Sequence, residues 1–133
     1  MLDQATVTAN IPAADLTRAR EFYADKLGLS PHQEMEGVIL IYRTAGGSTF
    51  SVYQTEYAGR AGHTIAQWHV ADVETAVRDL KSKGVTFEHY DMPGVEWNDD
   101  VASMGDMGKA AWFKDSENNI LCLDDGFPGE RVG

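Results

Sequence analysis

Apolar and polar residues alternate over residues 5–11, with Thr6, Thr8 and Asn10 on one face and Val7, Ala9 and Ile11 on the other. A period of two marks a half-buried strand, which Pro12 closes. Past Pro12 the period changes. Leu16, Ala19, Phe22, Tyr23 and Leu27 recur at helical spacing, so a helix is expected to run to about Leu27. Asp15 stands where a carboxylate accepts the free amide protons of a first helical turn, and Gly28 where the helix ends. Strands are expected near 31–35, 37–43 and 49–55, with Gly46-Gly47 marking a hairpin turn.

The same plan then returns after a short Gly-containing linker, Tyr57–Gly62. Residues 64–70 read as a strand. Asp72 caps a helix over about 73–83, whose stripe is Val73, Ala76, Val77 and Leu80, and Gly84 ends it. Strands near 85–90, 109–114 and 119–124 follow, with Asp115–Asn119 as the turn between the last two, matching Thr44–Ser48. Setting Asp15 on Asp72 superposes TVTANIPAADLTRAREFYADKLGL on HTIAQWHVADVETAVRDLKSKGV, and a one-residue gap brings Gly28 onto Gly84. The order is β-α-β-β-β, twice: module one over about 5–56 and module two over about 63–125, within a single domain of residues 1–133. Half a domain of this size buries its apolar face poorly alone, so the two copies are expected to pack together.

One segment breaks the repeat. Residues 91–108, DMPGVEWNDDVASMGDMG, are expected to be a long irregular loop. Two readings stand: Trp97, Met92, Met104 and Met107 cover a ligand, or they dock on the core as a plain excursion.

Composition narrows the classes. The chain is 43% hydrophobic and 24% charged, as ordinary globular proteins are. No apolar run is long enough to span a bilayer, and a soluble, cytoplasmic protein is expected. The single cysteine, Cys122, excludes an internal disulfide. A net charge of −10 argues against nucleic acid and leaves neutral or cationic ligands, or solubility alone, as its meaning. No phosphate loop, Walker motif or serine elbow is present. His32 and His89 lie outside any metal-like spacing, and His63 reads as an exposed strand-start residue. Cys122 reads as a small buried apolar residue; as a nucleophile it would need a neighbouring base and a lowered pKa.

The stretch IPAADLTRAREFYADKLGL resembles the opening of vicinal oxygen chelate proteins: the glyoxalases, extradiol dioxygenases, and fosfomycin and bleomycin resistance proteins. The stretch AAWFKDSENNILCLDD resembles their ending, in which an Asp-Pro-x-Gly-Asn turn leads into a strand; here the turn is DSENN. The resemblance implies an α+β fold of two tandem βαβββ modules, curled as a mixed sheet around a cavity, often in a homodimer. It also implies four metal stations on the first and last strands of each module, usually His and Glu. Matched residue by residue, these fall on Thr8, Ser51, Ile65 and Cys122. Two hydroxyls, an isoleucine and one thiol do not make a zinc or hard-metal site, so no metal or other cofactor is expected. A shifted site from His63 or His69 with Cys122 and Asp124 is the alternative.

Alternation places Thr6, Thr8, Asn10, Ser51 and Tyr53 on the implied cavity face, with Ile65, Gln67, His69, Cys122 and Asp124 from the second module. Val7, Ala9, Ile11, Phe50, Val52, Trp68, Val70, Leu121 and Leu123 face the helices. A few hydrogen-bonding groups among apolar walls describe a small-molecule pocket, or else a site that traps only water. The candidate ligand-binding residues are Thr8, Asn10, Ser51, Tyr53, Gln67, His69, Trp97, Trp112 and Cys122, the tryptophans stacking on a flat ligand or packing as rim. Three functions compete: a metal-free small-molecule binding protein that sequesters an aromatic or amphipathic compound; a lyase, isomerase or dioxygenase with a shifted metal or with acid–base work by His69, Tyr53 or Asp124; and a regulatory subunit.

Overall fold

The structure is a computed structural model and describes residues 1–126. The architecture is α+β, with two helices and two mixed sheets. The chain divides into two compact units: residues 1–60 with 116–119, and residues 61–115 with those from Ile120 on.

In the first unit, strands β1 (Ala9–Ala13), β2 (Gln33–Met35), β3 (Ile39–Arg43) and β4 (Thr49–Gln54) form a sheet in the order β1-β4-β3-β2. β1 runs parallel to β4, and the other pairs are antiparallel. Helix α1 (Leu16–Asp25) begins at Asp15, whose carboxylate accepts the Arg18 N–H at 3.1 Å. Leu16, Ala19 and Tyr23 of α1 are buried with Ile11, Ala13, Leu40, Tyr42 and Val52 of the sheet. The Tyr42 and Phe50 rings stack at 4.9 Å, and the Tyr42 hydroxyl, buried without a partner among the described residues, has its pKa pushed up to about 12 by burial.

The first strand differs from the expectation of 5–11. It lies at 9–13 with Pro12 inside it, and Val7, assigned to the helix-facing side, is 88% exposed ahead of it. The cause is the sheet edge. β1 has a single neighbour in its sheet, so proline's missing N–H costs less there than in a central strand.

The turn at 116–119 belongs to this first unit. Glu117 is buried, and its Oε1 accepts the N–H groups of Ala14 and Asp15, both at 3.0 Å. Arg18 donates to both its oxygens at 2.8 and 2.9 Å, and Ser116 Oγ donates at 2.7 Å. Burial works against the charge, but Arg18, Ser116 and the Asp15 amide outweigh it and hold the carboxyl below its ordinary range. Asn119 Nδ2 donates to the Pro12 carbonyl at 2.8 Å. The DSENN turn thus pins the β1–α1 junction.

In the second unit, β5 (Thr64–His69), β10 (Ile120–Asp124), β9 (Lys109–Lys114), β8 (Val101–Ser103) and β7 (Glu96–Asn98) lie in that order, and β6 (Phe87–Glu88) also pairs with β9. Helix α2 (Val73–Ser82) starts at Asp72, whose cap geometry repeats that of Asp15: φ −138° and ψ 104° in both. Val73, Val77 and Leu80 are buried with Val85, Phe87, Phe113, Leu121 and Leu123.

Residues 91–108 are more ordered than expected. A hairpin, β7–β8, and a short 3-10 turn at Gly105–Met107 occupy them. The hairpin turns on Asp99-Asp100, with Asp99 at φ +57°, a conformation that Asp tolerates better than most side chains. The strand expected over 85–90 shortens to Phe87–Glu88.

Candidate functional site

Rungs across the second sheet build a polar and aromatic face. Gln67 pairs with Cys122 and Cys122 with Trp112; His69 pairs with Asp124 and Asp124 with Ala110. Paired residues share a face, so these side chains stand together. Gln67 Nε2 donates to Asp124 Oδ2 at 2.6 Å and lies 4.0 Å from Cys122 Sγ. His69 Nδ1 lies 2.5 Å from Asp124 Oδ1, which also accepts the Gly126 N–H at 2.9 Å.

Strict alternation fails at the start of β5. Thr64 pairs with Ile120 and Ala66 with Leu121, so Ile65 is the extra residue of a bulge and has no partner in register. Thr64 takes its expected place. Its hydroxyl oxygen accepts the Trp112 indole N–H at 3.2 Å.

Aromatic rings extend the face. Trp97 lies on β7 with its ring 6.1 Å from that of Trp112, and Tyr90 meets Trp112 edge-on at 5.9 Å. Trp97 also carries the His89 imidazole, stacked at 4.2 Å and 8°. His89 Nε2 is 2.9 Å from Asp100 Oδ1, and Lys81 Nζ is 2.6 Å from Asp100 Oδ2. The Lys81 ammonium above all, then His89, holds the Asp100 carboxyl below its ordinary range against the effect of burial. The expected loop residue Trp97 thus lies on its own hairpin, its ring near Trp112, though it lines neither pocket below.

Trp112 and Thr64 wall two pockets. The larger, ≈ 260 Å³, is completed by His63, Tyr90, Met92 and Ile120. The smaller, ≈ 140 Å³, is completed by Gln67, Met104, Met107, Cys122 and Asp124, among others. Of the candidate residues, Gln67, Cys122 and Trp112 come together here, with His69 held on Asp124 and Trp97 against Trp112. In the first unit, Asn10 and Ser51 pair in register and the Ser51 hydroxyl donates to Asn10 Oδ1. Tyr53 is 40% exposed on the same sheet. Thr8 lies exposed ahead of β1 rather than on it.

The donors present decide whether a metal fits. Thr8 and Ile65 are unpaired in the ladders, and Ser51 is committed to Asn10. Cys122 is buried, and burial first, then the Asp124 carboxylate, pushes its thiol up to about 12. Among the described residues no three His, Cys, Asp or Glu side chains converge as a metal site, the set His63 or His69 with Cys122 and Asp124 included. This donor set does not fit a metal.

The reading of the sequence missed Thr64 and Tyr90 as wall residues. Nothing in an unaligned sequence marks a bulge, and Tyr90 carried only its aromatic character. Asp124 was placed on the right face, but its central position among Gln67, His69 and Gly126 emerges from the geometry alone.

Among solved structures, the bleomycin resistance determinant encoded on transposon Tn5 is similar at 19% identity, covering 91% of this chain and 97% of that one, TM-score 0.67. TnmS3, an antibiotic binding protein from Streptomyces sp. CB03234, is similar at 18% identity over 91% and 97%, TM-score 0.59. The fosfomycin resistance protein FosX from Listeria monocytogenes, complexed with Mn(II), is similar at 14% identity over 92% and 90%, TM-score 0.64. At these identities the likeness is one of fold. A comparison with curated proteins gives no match. The family model for the Glyoxalase/Bleomycin resistance protein/Dioxygenase superfamily matches residues 4–123, and the chain belongs to that superfamily.

Proposed function

We propose that the protein binds a small planar aromatic or amphipathic molecule without a metal, holding its ring against Trp112 on the face of the second sheet. The observation that carries the reading is the pairing of two pockets on one indole, with polar groups at one end and aromatic groups at the other. Such a mix of apolar wall and few fixed polar groups suits a small-molecule site. The antibiotic-binding and bleomycin-resistance relatives support it by analogy. Sequestration asks only for complementarity, and the donor set described above asks for no ion. We also read the chain as a cytoplasmic homodimer. Met35, Val38 and Tyr53, large apolar residues exposed on the first unit, support self-association; light scattering on the purified protein tests it.

The Asp124–His69 contact favours one other reading, metal-free acid–base catalysis, because a carboxylate on Nδ1 orients an imidazole as a general base. A thermal-shift screen of flat aromatic compounds, followed by product analysis of every hit, separates the two. A ligand at a hundred times its Kd should raise Tm by about 10 °C. Recovery of hits unchanged supports binding, turnover supports catalysis, and a screen without any shift counts against both.

A further inference from the structure

We propose that the ligand is an aromatic cation, its ring on Trp112 and its ammonium or amidinium group on Asp124 in the smaller pocket; this rests on the aromatic-ligand reading above. Three observations carry it. First, charge: among the described residues, no Lys or Arg lines either pocket, and Asp124 is the one carboxylate that does. An anionic ligand would meet that carboxylate with no fixed positive partner, whereas a cation meets its complement. Second, placement: Asp124 is a buried, fixed acceptor. A carboxylate offers about four acceptor positions. Gln67 takes one on Oδ2, and His69 and Gly126 take two on Oδ1, which leaves the last position on Oδ2 for a donor from the ligand. Third, the remaining wall suits a cation. The Trp112 π-face attracts positive charge, and the Met104 and Met107 sulfurs are polarisable. The net charge of −10 draws cations toward the protein at long range.

His69 is the neighbour of Asp124 from β5, and Lys109 of β9 is committed to Glu74 of α2 at 2.6 Å. Among the described residues, no lysine or arginine is paired with Asp124.

Three flat tricyclic probes test this: proflavine (cationic), acridone (neutral) and anthraquinone sulfonate (anionic). Each is titrated against tryptophan fluorescence at neutral pH in the full-length protein. A charge-assisted hydrogen bond predicts proflavine binding about ten- to a hundred-fold tighter than acridone, with the sulfonate weakest. Asp124→Asn should bring proflavine down to about acridone's affinity and change acridone's own affinity far less. Should that variant fail to fold, Gln67→Lys serves instead. Position 67 is exposed, so a lysine there is tolerated and sets its own ammonium beside Asp124 Oδ2. It too should erase the preference for the cation. Equal affinities for proflavine and acridone in the native protein, or a preference that survives both variants, overturn this inference and leave the aromatic-ligand reading standing. Failure of all three probes to bind overturns both.

Discussion

Replacing Glu117 tests whether the turn between β9 and β10 holds the β1–α1 junction. In Glu117→Ala, the N–H groups of Ala14 and Asp15 lose the acceptor that each meets at 3.0 Å, and Ser116 and Arg18 lose theirs. Each part-buried N–H left without a partner costs about 1 kcal/mol or somewhat more. Adding the packing of the buried side chain, we expect a loss of about 3 kcal/mol. At this chain length that is a fall in Tm of about 10 °C. Glu117→Gln keeps one oxygen for the two amides and should lose about half as much. The pH dependence adds a second signature. The folded-state pKa is depressed below 4.5, so the carboxylate's contribution is complete above that value and disappears as pH falls through the lower, folded pKa. The Gln variant should therefore lose less of its remaining stability on acidification below pH 4.5 than the native protein does. Calorimetric melts across that range measure both effects. An Ala variant within about 0.5 kcal/mol of native would refute the reasoning, because surface substitutions do no more than that.

Further outcomes follow from the second unit. Trp112→Leu keeps an apolar side chain but removes the ring, and proflavine affinity should fall about two- to ten-fold, read by equilibrium dialysis. Cys122 should resist a thiol-specific disulfide reagent at mildly alkaline pH until denaturant is added, since its thiol pKa is pushed up to about 12; rapid labelling of the folded protein would contradict this.

The repeat was legible because it rests on short-range physics. Asp15 and Asp72 cap their helices with identical backbone geometry, and Leu16, Ala19 and Tyr23 behind the one and Val73, Val77 and Leu80 behind the other are buried. Face assignment along β10 was also legible, since period-two alternation is all it needs. The departures are places where a partner strand overrides local pattern. Pro12 entered β1 because β1 lies at an edge, and edge status is a property of the sheet. Ile65 left the register because β10 opposes Thr64 and Ala66 in succession. The β7–β8 hairpin was hidden by a turn of two aspartates without a glycine. The candidate site suffered accordingly: Gln67 and Cys122 were readable as face-mates by alternation, whereas the places of Trp112, Thr64 and Tyr90 required the paired strands.

Metal content and ligand binding measured on the same sample decide whether the site works without an ion. Protein is purified without added metal, assayed for bound divalent ions, and titrated with proflavine before and after chelator treatment. The account predicts far less than one ion per chain and a binding curve that the chelator leaves unchanged. A stoichiometric ion, with binding that disappears on chelation and returns when the ion is restored, would contradict it.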